Sequence, residues 1–216
     1  MSVIPLIVEG SNRTIVETRE EFESAGGLNG KVILIQELDQ AQLHSDNDSN
    51  ASYDLRVGCE YRDHRNVGRK ELPPDGVIEL LPGTAVIIET EELVHFPKYM
   101  FGHIVPKVSL LQNGISNTSS KIDPGYMGKL LITAFNLGKK TIQLRRGERF
   151  CTLYVLQVLE GVRPYNKQSK RLVGEAKRQN WQRLRDFLEI NTAFVMVILF
   201  IATIILTILT IIQIVK

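Results

Sequence analysis

The segment Lys121-Ile-Asp-Pro-Gly-Tyr-Met-Gly-Lys-Leu-Leu-Ile-Thr-Ala-Phe-Asn136 decides the fold, because it joins a tight turn to a β-strand. Asp, Pro and Gly favour turns, so a turn is predicted at Asp123-Pro-Gly125, and the apolar run 129–135 predicts the strand. A carboxylate on a rigid turn beside the ring of Tyr126 could activate a water next to a bound nucleoside. Taken alone, the segment is better explained as a plain turn followed by a core tyrosine.

Short β-prone runs broken by proline and glycine continue on both sides of this segment. They are 31–36, 76–81, 84–90, 99–106, 141–144 and 150–159. Turn residues at intervals of about ten residues between such runs are typical of sandwiches and barrels. The pattern predicts an all-β domain, a jelly roll or β-barrel, at 46–162, with 1–45 as its N-terminal lead-in.

The composition suits one globular domain with an additional segment. The chain has 216 residues, is 44% hydrophobic and carries a formal net charge of +2. Its two cysteines, Cys59 and Cys151, lack metal-ligand spacing and the histidines are scattered, so nothing supports a zinc site.

The additional segment is apolar and lies at the C-terminus. Residues 193–215 are almost wholly apolar, and no charge occurs in 191–216 before Lys216. A helix of roughly 20 apolar residues spans the bilayer core, and a buried core helix rarely runs so long without a polar face. We therefore expect a transmembrane helix at 191–216, which makes the protein a single-pass membrane protein with a C-terminal anchor.

Basic residues precede the apolar segment and predict how it meets the membrane. They are Arg163, Lys167, Lys170, Arg171, Lys177, Arg178, Arg183 and Arg185. The positive-inside rule places the β domain in the cytoplasm, and the cluster favours anionic membrane lipid, with Trp181 as an interfacial anchor. Nucleic acid is not the expected partner, because the span begins beside the cluster. Partly helical spacing predicts a basic amphipathic linker helix at 163–190.

Polar residues recur along one face of the expected span. Thr203, Thr207, Thr210 and Gln213 step by helical spacing. Two interpretations stay open: the face packs against sister helices, or each threonine hydroxyl bonds to a carbonyl of its own helix.

Three further blocks accompany the opening segment, and the four have to be considered together. They are Ser52-Tyr-Asp-Leu-Arg-Val-Gly58, the stretch 82–115, and Arg146-Gly-Glu-Arg-Phe150. In this order and at nearly these spacings, the blocks resemble the trimeric dUTPase and dCTP deaminase superfamily. The resemblance covers roughly residues 50 to 160, and any one block alone would be a weak indication.

The resemblance implies a distorted jelly roll that assembles as a homotrimer, with active sites at subunit interfaces. The implied substrate is a deoxynucleoside triphosphate, dUTP or dCTP, that carries Mg²⁺ on its phosphates. In the hydrolase branch, a carboxylate in the position of Asp123 orients and deprotonates a water that attacks the α-phosphorus and releases pyrophosphate. Asp123 is therefore the expected catalytic residue.

The same resemblance assigns substrate contacts. Tyr126 matches the ring that packs under the deoxyribose, and Asn117 falls on the asparagine that reads uracil. Asp54 matches an aspartate near the metal, which it contacts through water. Lys107 and Ser109 lie in the motif that grips the phosphates.

This chain departs from the family pattern at several positions. The phosphate-gripping motif is normally Arg-Ser followed by Ser or Gly, whereas Lys107-Val108-Ser109 keeps a charge but loses the bidentate fork. A deaminase-type arginine is replaced by Gln112, which stays an expected substrate contact. The deaminase branch needs a glutamate as proton shuttle where this chain has Thr133, and a hydroxyl is no base near neutral pH. Cytosine deamination by the usual route is therefore not expected.

Three functions follow from these residues. The first is a membrane-tethered dUTPase-type pyrophosphatase that converts dUTP to dUMP and pyrophosphate, which Asp123, Tyr126 and Asn117 favour. The second is a dCTP deaminase or a bifunctional dCTP deaminase/dUTPase, suggested by the wider similarity of the blocks. The third is a catalytically inactive trimeric nucleotide sensor coupled to a bundle of membrane helices, which Lys107-Val108 and the anchor favour. The first is the function we expect.

Overall fold

The computed structural model describes residues 14–42, 51–64, 68–159, 162–167 and 192–215. The described strands are β1 (Ile15–Val16), β2 (Ile33–Gln36), β3 (Tyr53–Asp63), β4 (Lys70–Glu71), β5 (Val77–Leu80), β6 (Ala85–His95), β7 (Met100–Pro106), β8 (Ile115–Asn117), β9 (Ser120–Ile122), β10 (Met127–Asn136), β11 (Ile142–Arg145) and β12 (Arg149–Gln157). The described α-helices are α1 (Arg19–Ser24), α2 (Val108–Gln112) and α3 (Thr192–Val215). The chain divides into two compact units, Met1–Gly174 and Glu175–Lys216.

One ten-stranded sheet makes up most of the first unit. Its strands follow the order β1-β2-β6-β3-β12-β7-β9, with β10 paired to β6 and β8, and β4 paired to β3; β5 and β11 form a separate pair. The mostly β prediction is confirmed, but the strand pairings of the described residues do not close a barrel. The edge strands β1 and β9 have only two and three residues. The strands β4 and β8 also have one paired neighbour each, so the sheet keeps open edges.

Strict alternation along the long strands builds the core. On β10, Ile132 and Ala134 are buried, whereas Leu131, Thr133 and Phe135 lie half-exposed on the other face. Side chains of a strand point to opposite faces in turn, so Thr133 belongs to the outer surface of the sheet.

The segment that the sequence places as a lead-in contributes to the sheet. Strand β2 pairs with β6, and α1 begins at a capping box in which Thr18 and Glu21 cap each other's backbone N–H groups. Phe22 on α1 is fully buried, and its ring centroid lies 4.4 Å from that of His95. Residues 15–42 are therefore part of the β domain rather than peripheral to it.

The second unit contains α3, as the sequence predicts. The stretch Met196–Gln213 is long and apolar enough to cross a membrane. The hydroxyls of Thr203, Thr207 and Thr210 donate to the carbonyls of Phe200, Thr203 and Leu206 at 2.7, 2.8 and 2.9 Å. Each hydroxyl is thus satisfied inside its own helix, in agreement with the second interpretation of the threonine face.

The predicted linker helix is only partly described. Residues 163–167 are not helical, which differs from the prediction, and 168–190 lies outside the described residues. Pro164 lacks an N–H and disfavours helical geometry at the residue before it. The N–H of Tyr165 donates to the carbonyl of Pro124 at 2.7 Å instead of to a helical partner.

Candidate nucleotide site

The turn that carries Asp123 has a defined geometry. The N–H of Tyr126 donates to the carbonyl of Asp123 at 3.0 Å, and Gly125 has a φ of 82°. Proline at the second position and a glycine with positive φ at the third are typical of a type II turn. The N–H of Gly125 donates to the carbonyl of Phe96 at 3.0 Å, so the turn is fixed to the end of β6.

The Asp123 carboxylate is half-exposed and forms an ion pair with Lys121. Its Oδ1 accepts a hydrogen bond from Lys121 Nζ at 2.7 Å, and its side chain is 37% exposed. Within the described part of the chain, Oδ2 accepts no hydrogen bond. This oxygen is therefore open to a water molecule.

Tyr126 is held in place by burial and by its hydroxyl. The hydroxyl donates to the carbonyl of Lys129 at 2.7 Å, and the ring packs against the core. Burial, with smaller contributions from Tyr165 and Glu89, raises the pKa of Tyr126 to about 12. The phenol is neutral at physiological pH, so Tyr126 offers a rigid ring and not a base.

The chain beyond β12 packs on this turn. Besides the hydrogen bond of Tyr165 to Pro124, a Cβ added at Gly125 would lie 2.7 Å from Cβ of Pro164. The ring centroids of Tyr126 and Tyr165 are 5.6 Å apart. Tyr165 was not among the predicted site residues, since no spacing rule links it to a turn so far back in the sequence.

Asn117 and Thr133 lie on adjacent strands. Asn117 on β8 pairs with Ala134 on β10, and the N–H of Thr118 donates to the carbonyl of Thr133 at 2.9 Å. The Asn117 side chain is 7% exposed in the single chain, and its Nδ2 donates to the carbonyl of Thr118 at 3.1 Å. Asn117 and Thr133 are therefore neighbours along the ladder, but their side chains lie on opposite faces of the sheet. The recognition of uracil by Asn117 stays a prediction.

Lys107 and Asp54, which the sequence assigns to phosphates and metal, contact each other. Lys107 Nζ forms an ion pair with Asp54 Oδ2, and Thr152 Oγ1 donates to Asp54 Oδ1 at 2.6 Å. Both oxygens of Asp54 are thus engaged within the chain. The contribution of Thr152 was missed, because Thr152 lies in none of the four blocks.

The remaining predicted contacts lie on α2. Ser109 and Gln112 are exposed on this five-residue helix, and the carbonyl of Ser109 accepts a hydrogen bond from Asn113 Nδ2 at 3.0 Å. Among the described residues, no hydrogen bond or ion pair joins α2 or Lys107 to Asp123. The single chain therefore presents two separate groups, which we call the turn group (Lys121, Asp123, Tyr126, Tyr165) and the α2 group (Asp54, Lys107, Ser109, Gln112).

The donor set constrains how a metal could bind. The described residues contain no group of three or more His, Cys, Asp or Glu side chains that could hold an ion. Mg²⁺ often takes one or two carboxylates and completes its shell with water and substrate phosphates. Each oxygen of Asp54 still has a lone pair beyond its present bond, so Asp54 fits a water-mediated contact with an ion carried by a triphosphate.

The sequence of this chain is similar to those of known proteins. A family model described as dCTP deaminase-like matches residues 18–158. The chain is 31% identical over 153 residues to a dCTP deaminase of Thermococcus gammatolerans, covering 69% of this chain and 92% of that protein. It is 35% identical over 79 residues to a deoxyuridine 5'-triphosphate nucleotidohydrolase of Escherichia phage T5, covering 36% of this chain and 53% of that protein.

One solved structure superposes on part of the chain. The crystal structure of 2'-deoxycytidine 5'-triphosphate deaminase from Agrobacterium tumefaciens superposes with a TM-score of 0.47 at 22% identity, over 56% of this chain and 43% of that one. The family match, by contrast, runs from the start of α1 to the end of β12 and contains both residue groups except Tyr165. The chain therefore belongs to the dCTP deaminase-like family.

Proposed function

We propose that the protein is a deoxynucleoside triphosphate pyrophosphatase of dUTPase type, which converts dUTP to dUMP and pyrophosphate. The observation that carries the proposal is Asp123, a half-exposed carboxylate on a fixed turn whose Oδ2 is open to water. A group with this geometry can accept a proton from a water that it orients.

The chemistry requires little more than this carboxylate and charge on the phosphates. Asp123 accepts a proton from the water as the water oxygen bonds to the α-phosphorus. The bond between the α-phosphorus and its bridging oxygen breaks, and pyrophosphate leaves. Lys121, at 2.7 Å from Asp123, keeps the carboxylate oriented. Mg²⁺ bound to the triphosphate would supply charge withdrawal from the phosphates.

Thr133 separates this function from deamination. Attack on cytosine C4 needs a side chain that shuttles protons, and a hydroxyl does not accept a proton near neutral pH. Thr133 lies on the outer face of β10, one residue before Ala134, the ladder partner of Asn117. A dCTP deaminase, alone or combined with dUTPase activity, is the second candidate. The relative from Thermococcus gammatolerans is named dCTP deaminase, and this chain aligns with 92% of its length.

Assembly as a homotrimer would bring the two residue groups together. Since no hydrogen bond or ion pair joins α2 or Lys107 to Asp123 among the described residues, we propose that the pocket combines the turn group of one copy with the α2 group of a neighbouring copy. Apolar side chains on the outer face of β7 and β12 are half-exposed and could support such contacts; they are Phe101, Val105, Tyr154 and Leu156. Large contiguous exposed apolar patches mark sites of protein–protein contact.

Membrane tethering would confine the pyrophosphatase to the membrane surface. Helix α3 is long and apolar enough to span a bilayer, and the basic residues before it would bind anionic lipid on the cytoplasmic side. A catalytically inactive trimeric sensor is the third candidate. Lys107, the expected phosphate contact, already forms an ion pair with Asp54, and the β domain precedes a helix that could span a membrane.

Product analysis separates the three candidates. The full chain in detergent with Mg²⁺ receives dUTP, dCTP and dTTP in turn, and the products are resolved by chromatography. We expect dUMP and pyrophosphate from dUTP alone, lost by about a hundredfold or more in Asp123→Asn and unchanged in Asp75→Asn, an exposed turn residue. Uridine nucleotides formed from dCTP would show a deaminase, and tight binding without turnover would show a sensor.

A further inference from the structure

Thr152 and Asp54 stand opposite each other in the ladder between β12 and β3. Residues paired in this way carry their side chains on the same face of the sheet. The Thr152 hydroxyl donates to Oδ1 of Asp54 at 2.6 Å, while Oδ2 binds the ammonium of Lys107. The carboxylate therefore connects a rigid strand to the lysine that precedes α2.

The backbone of Asp54 is fixed independently of this contact. Gln42 Nε2 donates to the carbonyl of Asp54 at 2.9 Å, and the N–H of Asp54 donates to Gln42 Oε1 at 2.7 Å. Strand β3 also lies inside the sheet, between β6 and β12. The main freedom left to Asp54 is rotation of its carboxylate, and the hydroxyl of Thr152 limits that rotation.

Lys107 keeps donors for a ligand despite the ion pair. An ammonium has three N–H donors, and Asp54 accepts from one of them; among the described residues no other hydrogen bond is made by Nζ. The Lys107 side chain is 29% exposed, so the remaining donors are reachable. A lysine on its flexible stem loses conformational freedom when it binds phosphate, and fixing the ammonium beforehand reduces that loss.

We propose that Thr152 is a positioning residue for triphosphate binding: it orients Asp54, which holds the Lys107 ammonium where the phosphates of a nucleotide bind. The inference rests on the proposed function, because it takes a deoxynucleoside triphosphate as the ligand. If Asp54 instead withholds Lys107 from the phosphates, removal of the Thr152 hydroxyl tightens triphosphate binding.

The test compares binding of a triphosphate with binding of the bare nucleoside. The full chain in detergent is titrated calorimetrically with α,β-imido-dUTP in the presence of Mg²⁺, and deoxyuridine binding is followed by ligand-observed NMR. Thr152→Val keeps the shape and removes the hydroxyl, so we expect its Kd for the triphosphate to rise about five- to twentyfold. Deoxyuridine binding stays unchanged, and Thr152→Ser restores the wild-type Kd.

A double-mutant cycle shows whether Thr152 acts through Lys107. In a Lys107→Met background, Thr152→Val should weaken the triphosphate no further, because the ammonium that it positions is absent. Thermal unfolding confirms that each variant is folded, and Thr152→Ala carries the same expectation in case the valine variant does not fold.

Unchanged or tighter triphosphate binding in folded Thr152→Val, or an equal loss in the Lys107→Met background, overturns the inference and leaves the proposed function standing. A wild-type chain that binds no imido-dUTP overturns the proposed function, and the inference with it.

Discussion

The ring of Tyr165 lies against the ring of Tyr126, with centroids 5.6 Å apart and planes tilted by 50°. One ring follows the turn that carries Asp123, and the other belongs to the segment after β12. The contact ties the C-terminal part of the domain to the candidate catalytic turn. Changes in that segment should therefore be measurable at the turn.

Removal of the Tyr165 ring should destabilise the domain. We expect Tyr165→Ala to lower the free energy of unfolding by about 1 kcal/mol or somewhat more, since an aromatic pair and its buried area are lost. Tyr165→Phe keeps the ring and is the matched control, because the described residues give the Tyr165 hydroxyl no hydrogen-bond partner. Urea unfolding measures both variants, and equal stability of the alanine and phenylalanine variants would contradict the contact.

Alanine variants of two glycines distinguish the effect of backbone strain from the effect of packing at the turn. Gly125 and Gly83 have φ values of 82° and 70°, but only at Gly125 would a Cβ meet neighbours, Pro164 and Tyr165. Both alanine variants should lose about 1 to 2 kcal/mol from the left-handed backbone. Gly125→Ala should lose more, because the C-terminal segment must move.

Chemical denaturation of these two variants provides the measurement, with dUTP turnover as a second readout. Turnover should fall in Gly125→Ala and stay near wild type in Gly83→Ala. Equal stability losses in the two variants would mean that Pro164 and Tyr165 do not pack on the turn.

Local chemistry explains which parts of the site could be predicted from sequence. A proline and a glycine after Asp123 determine a turn by themselves, and strict alternation predicts β10. The pairing of Lys107 with Asp54 joins residues 53 positions apart, so it depends on the register between strands. Sequence patterns do not contain that register, and they assigned the two residues to different ligands.

The same limit applies to the ends of the domain. Partly helical spacing predicted a helix from 163 onward, but Pro164 and the hydrogen bond of Tyr165 to Pro124 favour a non-helical segment at 163–167. The sequence also could not predict that the barrel stays open, because closure depends on which edge strands pair, and these strands are distant in the chain.

Stability should depend on pH through His95. Burial, the largest effect, disfavours the charged imidazole, so the pKa of His95 lies below the ordinary value of 6.5, with Glu23 and Arg19 acting in opposite directions. The unfolded chain binds this proton near pH 6.5, whereas the folded chain binds it only at lower pH. The contribution of His95 to stability is therefore complete above pH 6.5 and is lost as the pH falls toward the folded-state pKa.

Urea unfolding at about pH 7.5 and about pH 5.5 checks this dependence. We expect the wild-type free energy of unfolding to fall between the two values, and the fall to be smaller in His95→Gln. A fall of the same size in His95→Gln would exclude His95 as its source.

Resistance to extraction from the membrane should depend on α3. Every described side chain from Met196 to Gln213 is exposed in the single chain, and most are apolar. We expect the full chain to co-float with vesicles that contain anionic lipid and to resist carbonate extraction, because a helix of this length spans a bilayer. A chain that ends at 190 keeps the basic residues but lacks α3, so carbonate should release it into the soluble fraction. Release of the full chain by carbonate would contradict a spanning helix.

We propose that Asp123 activates a water for attack on the α-phosphorus. The most direct measurement is dUTP hydrolysis by the full chain in H₂¹⁸O, followed by mass spectrometry of both products. We predict one ¹⁸O atom in dUMP and none in pyrophosphate, with label incorporation lost in Asp123→Asn. Label in pyrophosphate, or undiminished formation of labelled dUMP by Asp123→Asn, would contradict the account.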